Sequence, residues 1–555
     1  MYLETYETIR WALATATGLE NPPLTEGGIH ADFASPVAFD LAKKQRKPPA
    51  QIASELVEIL INDASLEGVR VETKGPYINF STGMDFIRRT LLRAIEPGYG
   101  TLPPKSERIV IEHTSANPNG PLHVGHIRNT IIGDTLARSF RKAGYRVEVQ
   151  YYVNDMGRQI AIVAWGFTHL DSSTPRMDEK DDYHVARLYI AANRELEKNP
   201  AIVAEIDRFM QLVEKEDQKT VALFRNVVNE CLNGFKVTLR RLNTHHDRFV
   251  WESEFIRNGD TFRTIDRLKR IDEYHEEGRI WIDLSESGFE KEYVLRRTDG
   301  TTVYAARDLA YHIWKGRNFD RMIDVLGADH KLIGAQLIAT LRLIGEKVPD
   351  IVHFEFVSLP EGSMSTRAGK FISADELIDE VTRRAFDEVT ARRNDLDEET
   401  RRTIARSVAI AAIRYDIVKI SPEKSTIFDW NEALDFERQS GPYIQYAHAR
   451  ACSILEKAGN FEPACDLKME SEIALIKHIA KFPYVLRNSV RDLRPHLIAT
   501  YARELADHFN VFYQFEPVLK SEGETRKSRL TLVLATRNTL KEALETLGID
   551  ALATM

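Results

Sequence analysis

Two histidines, a carboxylate and an amide lie close together in the stretch EHTSANPNGPLHVGH, residues 112–126. The β-branched run RIVI precedes this stretch, and IRNTIIGDTLARSF follows it with apolar residues at helical spacing. The pattern predicts a strand, a loop and a helix, with His123, Gly125 and His126 at the beginning of the helix. Because a helix N-terminus offers unpaired N–H groups and a partial positive charge, this position attracts phosphate.

The residue types at this helix N-terminus suit nucleotide chemistry. A histidine there can donate to phosphate oxygens and stabilise the charge that develops during nucleotidyl transfer. Gly125 lacks a side chain, so a flat base can lie on the backbone. The pattern therefore favours a site that holds ATP while its α-phosphate is attacked. The alternative is a pair of histidines that cap the helix without a ligand.

A second candidate loop lies in SLPEGSMSTRAGKFISADEL, residues 358–377, where glycines bracket hydroxyl and cationic side chains. A mobile cationic loop near the leaving pyrophosphate would engage only the transition state. The side chains that could do this are Ser365, Thr366, Arg367 and Lys370. Ser373 is a good N-cap for the helix that follows, with Glu376 at the third helical position. The alternative is a solvated surface turn.

Composition sets broad limits on the function. The chain has 555 residues, 43% hydrophobic and 28% charged, which predicts several domains with cores of their own. No apolar run reaches membrane-spanning length, and the N-terminus reads as an amphipathic surface helix rather than a signal peptide. Three cysteines without a CxxC pair argue against disulfides and a cysteine zinc site, and fit a reducing cytoplasm. The net charge of −8 argues only mildly against a nucleic-acid partner, because local patches decide binding.

The hydrophobic pattern predicts an alternation of helices and strands up to about residue 98, followed by a Gly/Pro-rich linker. A βαβ rhythm then continues to about residue 155 and predicts a doubly wound parallel sheet. Long charged helices from about 165 to 275 predict a helical insertion, and from about 372 onward the sequence reads as helical. Strand signals return at three places between these regions: RIWIDL (279–284), TVYAA (302–306) and MIDVLG (322–327).

HVGH followed by an MSTR loop resembles the two signatures of class I aminoacyl-tRNA synthetases. The fuller string EHTSANPNGPLHVGHIRNTIIGD resembles the arginyl-tRNA synthetases, and most of all their archaeal branch. Further stretches agree in the family's order and extend the resemblance over nearly the whole chain: PYINFSTGMDFI (76–87), TDGTTVYAARDLAYH (298–312), VLGADHK (325–331) and SGPYIQYAHARACSILEKAG (440–459).

The resemblance implies an α/β fold. It consists of a Rossmann-like, doubly wound parallel-sheet catalytic domain with a helical insertion, an α+β N-terminal domain and an all-helical C-terminal anticodon-binding domain. The implied bounds are 1–98 for the N-terminal tRNA-contacting domain, 104–371 for the catalytic domain, 372–435 for a helical connector and 436–555 for the anticodon-binding domain. The insertion would occupy about 165–275.

The resemblance also implies an activity. Arginine would be activated by ATP, with Mg²⁺, to arginyl-adenylate, and then transferred to the 3′-terminal ribose of tRNA(Arg) with release of AMP and pyrophosphate. Members of the family usually need tRNA even for the first step. The partners are thus ATP, L-arginine and tRNA(Arg). We expect a cytoplasmic monomer with no membrane contact and no metal site made by the protein itself.

Arginine can be matched to particular residues. Its guanidinium is a planar cation with five donors, and it prefers carboxylates in fork geometry. Glu112 and Asp308 supply carboxylates, and Tyr304 shares a face with Asp308 if that stretch is helical. The resemblance assigns arginine to Glu112, Ser115, Asn117, Tyr304, Asp308 and His330. It assigns ATP to His123, Gly125, His126, Gly327, Asp329, Met364 and Ser365. It assigns catalysis to His123, His126, Ser365, Arg367 and Lys370. Ion pairing for Glu112 and core packing for Tyr304 are the alternatives.

The C-terminal third mixes cations with aromatics, as in YVLRNSVRDLRPH (484–496) and DHFNVFYQF (507–515). Cations can meet phosphates, and exposed aromatics can stack on splayed bases. The alternative is an ordinary helical bundle with aromatics in its core. The candidates for tRNA contact are Tyr443, Gln445, Tyr446, Arg450, Tyr513 and Met555.

The second candidate loop departs from the family pattern. Archaeal members often have KMSTRKG, whereas this chain has SMSTRAG, with Ser363 and Ala368 in place of two lysines. Some arginyl enzymes compensate with a lysine shortly before HxGH, but Gly120 stands at about that place here. Losing a cation contact to the transition state costs about 10²-fold in rate. Arg367 and Lys370 would then carry the cationic role.

Three other functions remain open at this stage. A small-molecule nucleotidyltransferase can share HxGH, but it would lack the second loop and the helical C-terminal region. A class I synthetase for another amino acid is the second alternative, but the carboxylate pair of Glu112 and Asp308 favours a cationic substrate. A non-catalytic tRNA-binding paralogue is supported only by the altered loop, and the intact HVGH opposes it.

Overall fold

The computed structural model describes residues 1–28, 31–170, 176–358 and 372–555. No helix in these ranges is long and apolar enough to cross a membrane.

The N-terminal region is an α+β unit, as predicted. Its antiparallel sheet has the order β1-β2-β4-β3, and helices cover one face. Its elements are α1 (Tyr2–Thr17), β1 (Thr25–Glu26), β2 (Phe33–Ser35), α2 (Val37–Gln45), α3 (Pro49–Leu60), β3 (Val69–Lys74), β4 (Tyr77–Thr82) and α4 (Met84–Ala94).

The central region is built on a parallel sheet, with helices between its strands. Its elements are β5 (Arg108–Glu112), α5 (Val124–Lys142), β6 (Arg146–Val153), α6 (Arg158–His169), α7 (Asp181–Lys198), α8 (Ile202–Glu214), α9 (Gln218–Arg241), β7 (Arg248–Trp251), α10 (Glu252–Arg257), α11 (Asp260–Leu268), β8 (Tyr274–Glu276), β9 (Ile280–Ile282), β10 (Tyr293–Arg296), α12 (Tyr304–Asn318), β11 (Arg321–Gly327), α13 (Lys331–Leu343), β12 (Asp350–Phe354) and β13 (Val357–Ser358).

The C-terminal region is helical apart from one two-residue strand. Its elements are α14 (Ala374–Arg392), α15 (Glu398–Val418), β14 (Thr426–Ile427), α16 (Trp430–Ala433), α17 (Gly441–Ala458), α18 (Glu470–Ala480), α19 (Phe482–Arg491), α20 (His496–Phe515) and α21 (Gly523–Thr546).

The five-stranded sheet has the order β12-β11-β5-β6-β7, and all its strands are parallel. Strand β5 lies in the middle, and its apolar residues Ile109, Val110 and Ile111 are fully buried, as expected for a strand covered on both faces. The chain continues from β5 to β6 on one side and returns through β11 on the other. The gap between the carboxyl ends of β5 and β11 is therefore the switch point at which doubly wound sheets bind ligands.

Two of the predicted elements are wrong. Residues 165–275 are not helical throughout, because β7 lies within them and pairs with β6 in the main sheet. The strand predicted at 302–306 is instead the beginning of α12 at Tyr304. The strands predicted at 279–284 and 322–327 are confirmed in part as β9 and as β11.

One buried arginine joins the catalytic region to the C-terminal helices. The side chain of Arg414 is fully buried, and its guanidinium lies 2.5 Å from a carboxylate oxygen of Asp134 on α5. It also donates to the carbonyls of Leu547 and Leu242, each at 2.7 Å. Removing either charge would leave the other buried without its partner, so this contact fixes the central region and the C-terminal helices against one another.

Candidate active site at the switch point

The two histidines cap helix α5 reciprocally. Nδ1 of His123 accepts from the backbone N–H of Gly125 at 3.1 Å, and Nδ1 of His126 accepts from the N–H of His123 at 3.2 Å. Their rings stack with centroids 3.6 Å apart. Because each Nδ1 is an acceptor, the proton of each neutral ring lies on Nε2, which makes Nε2 a donor.

Both rings are neutral at physiological pH. Burial lowers the pKa of His123, and burial together with the neighbouring His123 lowers the pKa of His126 to about 3. Capping of the helix and binding of a phosphate are thus compatible, because capping through Nδ1 keeps the proton on Nε2, where it can be donated to a phosphate oxygen.

Gly125 leaves room for the ring of its neighbour His123. A Cβ added there would lie 3.0 Å from Cε1 and 3.1 Å from Nδ1 of His123. The bare Cα of Gly125 lets the His123 ring fold back over the helix N-terminus.

A carboxylate network joins the last residue of β5, the middle of β11 and helix α12. Lys315 of α12 is fully buried, and its Nζ lies 2.9 Å from Glu112 and 2.6 Å from Asp324. Burial raises the pKa of Glu112 despite Lys315. Burial alone would also raise the pKa of Asp324, but Lys315 and His312 hold it well below its ordinary value.

His312 extends the network toward the partly exposed Asp308. Its Nε2 lies 2.7 Å from Asp324, and its Nδ1 lies 3.0 Å from the carboxylate of Asp308. Burial and Lys315 act to lower the pKa of His312, but Asp308 and Asp324 together raise it to about 10. Two cations, Lys315 and His312, thus lie among three carboxylates: Glu112, Asp308 and Asp324.

Among the described residues, one group has the spacing of metal ligands, namely Glu112, His312 and Asp324. The ammonium of Lys315 already contacts both carboxylates of this group. A divalent cation would have to displace a buried charge, so the group does not fit Mg²⁺.

The loop after β5 carries backbone strain. Thr114 has φ of 70° and Ser115 has φ of 39°, both in the left-handed region that β-branched residues avoid. Asn129 of α5 accepts from the N–H of Thr114 at 2.7 Å and donates to the carbonyl of Val325 at 3.0 Å. This single amide ties the strained loop to β11.

The strained loop aims Ser115 into the network. Its hydroxyl donates to Glu112 at 3.1 Å and accepts from the N–H of Tyr152 at 3.0 Å. Asn117, two residues later, is exposed at the mouth of the site.

The remaining predicted site residues surround the opening of the switch point. Tyr304 is 50% exposed and lies one helical turn before Asp308, whose side chain is 26% exposed. Asp329 and His330 are exposed beyond the end of β11, and the Asp329 carboxylate folds over Gly327, where a Cβ would meet it at 2.4 Å. The structure therefore brings the predicted arginine and ATP residues of the described ranges to one edge of the sheet. The predicted residues Met364, Ser365, Arg367 and Lys370 lie outside the described residues.

Residues that the sequence reasoning missed hold this site together: His312, Lys315, Asp324, Asn129, Gln150 and Tyr311. Tyr311 donates to Gln150 at 2.7 Å in the buried layer beneath Glu112. Asp324, the one carboxylate in the otherwise apolar stretch MIDVLG, was a usable signal, because a buried carboxylate demands a partner.

A second site lies in the C-terminal region. A cavity of about 580 Å³ is lined by residues from α14, α17 and α20 and by the chain end: Val389, Arg392, Arg393, Phe436, Glu437, Tyr443, Tyr446, Arg450, Asn510 and Met555. The Arg450 guanidinium lies 4.8 Å from the ring of Tyr446 and 5.1 Å from that of Tyr513. Five of the six residues predicted to contact tRNA thus lie in or beside one cavity.

Gln445 is the exception, and the predicted contact with tRNA through this side chain is not available. The side chain is fully buried and donates to the carbonyl of Asp550 at 2.8 Å and to Ser407 at 3.2 Å. It holds the chain end against α17 from inside. Met555 takes part in the same arrangement, because its backbone carbonyl accepts from Arg393.

Comparisons with known proteins agree along the whole length. The family model "Arginyl tRNA synthetase N terminal domain" matches residues 7–82. The model "tRNA synthetases class I (R), catalytic domain" matches residues 94–430, and "DALR anticodon binding domain" matches residues 444–555.

Individual relatives give the same result. The arginine–tRNA ligases of Methanoregula boonei and Methanosphaerula palustris are 65% and 64% identical, with 100% of each chain covered. The solved structure of Thermus thermophilus arginyl-tRNA synthetase has a TM-score of 0.89 at 30% identity, again over 100% of both chains. The Plasmodium falciparum arginyl-tRNA synthetase, with a TM-score of 0.81 at 19% identity, shares the fold. The chain therefore belongs to the arginyl-tRNA synthetase family of class I aminoacyl-tRNA synthetases.

Proposed function

We propose that this protein is an arginine–tRNA ligase that activates arginine with ATP and then charges tRNA(Arg). The observation that carries the proposal is the carboxylate network at the switch point, which begins at the end of β5, the strand that leads into the helix capped by the two neutral histidines. With all groups ionised, its three carboxylates exceed its two cations by one negative charge. A guanidinium at the open end, beside Asp308 and Tyr304, would supply the missing positive charge and the planar donors that carboxylates prefer.

In this proposal the N-terminus of α5, with His123 and His126, holds ATP. The Nε2–H groups of His123 and His126 donate to phosphate oxygens, and the base lies against the backbone at Gly125, with Gly327 and Asp329 bordering the nucleotide. Mg²⁺ enters as part of the substrate Mg-ATP, because the described residues offer no fitting metal group of their own.

The reaction then needs no covalent attachment to a side chain. The arginine carboxylate attacks the α-phosphate of ATP, forming arginyl-adenylate and releasing pyrophosphate. The terminal ribose hydroxyl of tRNA attacks the acyl carbon, forming the ester and releasing AMP. Catalysis is by positioning and charge stabilisation, with Ser115 and Asn117 orienting the amino acid and Ser365, Arg367 and Lys370 assigned to the pyrophosphate side.

The C-terminal cavity is the proposed site for anticodon bases. Tyr446 and Tyr513 are 42% and 44% exposed, and both rings are held by Arg450. Such an aromatic platform with a cation behind it suits stacked, unpaired bases. We also propose that the enzyme works as a monomer in the cytoplasm, in keeping with its three unpaired cysteines.

The test is ATP–pyrophosphate exchange with arginine, with and without tRNA(Arg), and with lysine and glutamate as control amino acids. We expect exchange with arginine only, and only in the presence of tRNA. Absence of exchange under every condition, together with tight tRNA binding, would instead identify a non-catalytic tRNA-binding paralogue.

A further inference from the structure

The N-terminus of α14 is attached directly to the histidine signature. Ser373 forms an isolated antiparallel bridge with His123, and the N–H of Ala374 donates to the carbonyl of Leu122 at 2.7 Å. The backbone that places the His123 ring is therefore fixed from one side by residues 373–374.

Side chains of α7 and its N-cap fix this segment from the other side. The hydroxyl of Tyr183 donates to Oγ of Ser373 at 2.7 Å. Lys180, the N-cap residue of α7, places its ammonium against the carboxylate of Asp375 and 2.7 Å from Oγ1 of Thr238. Helix α9 adds Arg241, whose Nη1 lies 2.9 Å from Asp375.

These contacts are largely withdrawn from solvent. Asp375 is 8% exposed, and Asp182, whose carboxylate lies 3.0 Å from the ammonium of Lys180, is fully buried. Gly234 makes room for it, because a Cβ there would meet the Asp182 carboxylate at 2.3 Å. The side chain of Lys180 is 21% exposed, but it supplies one cation to two buried carboxylates. Removing that cation is costly, so Lys180 fixes the distance between α7 and α14.

Tyr183 is not needed to cap α14. The hydroxyl of Ser373 already donates to the carboxylate of Glu376 at 2.9 Å and accepts from the N–H of Glu376 at 3.1 Å. What Tyr183 adds is a link from the helical insertion to the segment that bridges to His123.

We propose that Lys180 and Tyr183 are positioning residues: through Ser373 and Asp375 they hold the bridge that places His123 for the chemistry on ATP. The role in catalysis rests on the proposed function, whereas the positioning itself is a property of the fold. The helical insertion then has a part in the first reaction step through its contacts with Ser373 and Asp375.

The kinetic test uses Tyr183→Phe and Lys180→Met, with Tyr189→Phe on the same helix as the matched control. A misplaced phosphate donor slows the reaction more than it weakens substrate binding. We expect kcat of ATP–pyrophosphate exchange to fall about fivefold in Tyr183→Phe, as for one neutral hydrogen bond, and about 30-fold in Lys180→Met. The KM for arginine should stay within about twofold. Lys180→Arg should restore most of kcat.

A merely structural role would leave a different pattern. Unchanged kcat in both variants, or a fall explained by a smaller folded fraction in thermal unfolding, would overturn the proposal. So would an equal effect of Tyr189→Phe.

Amide hydrogen exchange tests the positioning without any activity. We expect the amides of Gly125, His126 and Ala374 to exchange faster in Tyr183→Phe and Lys180→Met than in the wild type and in Tyr189→Phe. Unchanged protection would overturn the proposal even if the enzyme is fully active. Faster exchange in an enzyme without arginine-dependent activity would support the positioning and reject the proposed function.

Discussion

The switch-point site and the C-terminal cavity use charge in opposite ways. At the switch point, Lys315 and Asp324 are almost completely buried and the charges are bound to one another over 2.6–2.9 Å. In the cavity, Arg450 holds two half-exposed rings through its guanidinium face, at 4.8 and 5.1 Å. In the proposed function, the first arrangement is preorganised for one small charged ligand, and the second leaves flat surfaces open for bases.

This difference predicts different consequences of substitution. A buried ion network couples ligand binding to the stability of the fold, because each charge depends on its partners. An exposed aromatic and cationic platform contributes to affinity with little effect on stability. Substitutions at the two sites should therefore separate into those that unfold the enzyme and those that only loosen tRNA.

The largest effect is expected for Lys315→Met. Removing the ammonium leaves Glu112 and Asp324 buried without their shared cation. We expect the free energy of unfolding to fall by about 3–5 kcal/mol. Urea unfolding measures it, with Lys331→Met as control, because Lys331 pairs with Glu355 at the surface. A loss below about 1 kcal/mol, the size expected of a surface pair, would show that the network is not the rigid element inferred here.

Asp308→Asn should separate binding from folding. Its side chain is 26% exposed and lies at the open end of the network, so the loss of stability should be smaller than for Lys315→Met. Losing a charge-assisted partner of the guanidinium should lower kcat/KM for arginine by about 100-fold or more. Steady-state exchange kinetics measure this, with Asp350→Asn, a half-exposed carboxylate at the far end of β12, as control. Unchanged kcat/KM would place arginine elsewhere.

In the C-terminal cavity, Tyr446→Ala should weaken tRNA(Arg) binding by about 5- to 100-fold, the range of one lost base stack. Tyr446→Phe should retain most of the affinity, because it keeps the ring. The KM for arginine and the free energy of unfolding should not change in either variant. Filter binding and urea unfolding measure the two quantities. Equal losses in the Ala and Phe variants would argue against stacking.

The features that could be predicted from the sequence are those made by residues close together along the chain. The helix N-terminus at His123 and the capping box of Ser373 with Glu376 depend on residues within a few positions of each other, and both were predicted from the sequence. The Lys315 network joins β5, α12 and β11, over 203 positions between Lys315 and Glu112, and no local pattern contains it.

The wrong strand at 302–306 and the wrong role for Gln445 have different causes. TVYAA carries β-branched and aromatic residues, yet the polar positions Tyr304, Asp308 and His312 repeat every four residues, which is the period of α12. Gln445 was chosen as a polar residue on a helix near aromatics. Only the packing of the chain end over α17 shows that its amide is buried.

The last comparison, spread over several pH units, is the pH dependence of stability. Burial lowers the pKa of His126 to about 3, so only the unfolded state binds a proton there as the pH falls below about 6.5. Its contribution to stability is present above pH 6.5 and decreases as the pH falls toward 3. His312 has the opposite sign: its pKa is raised to about 10, so its contribution is complete below pH 6.5 and is lost as the pH rises toward 10. We therefore expect His126→Asn to flatten the acid limb of a plot of the free energy of unfolding against pH, and His312→Gln to flatten the alkaline limb.

Arg450→Met should leave both limbs unchanged, because the cavity holds its cation over rings rather than beside a buried histidine. A profile in which Arg450→Met alters either limb would break the distinction between the two sites.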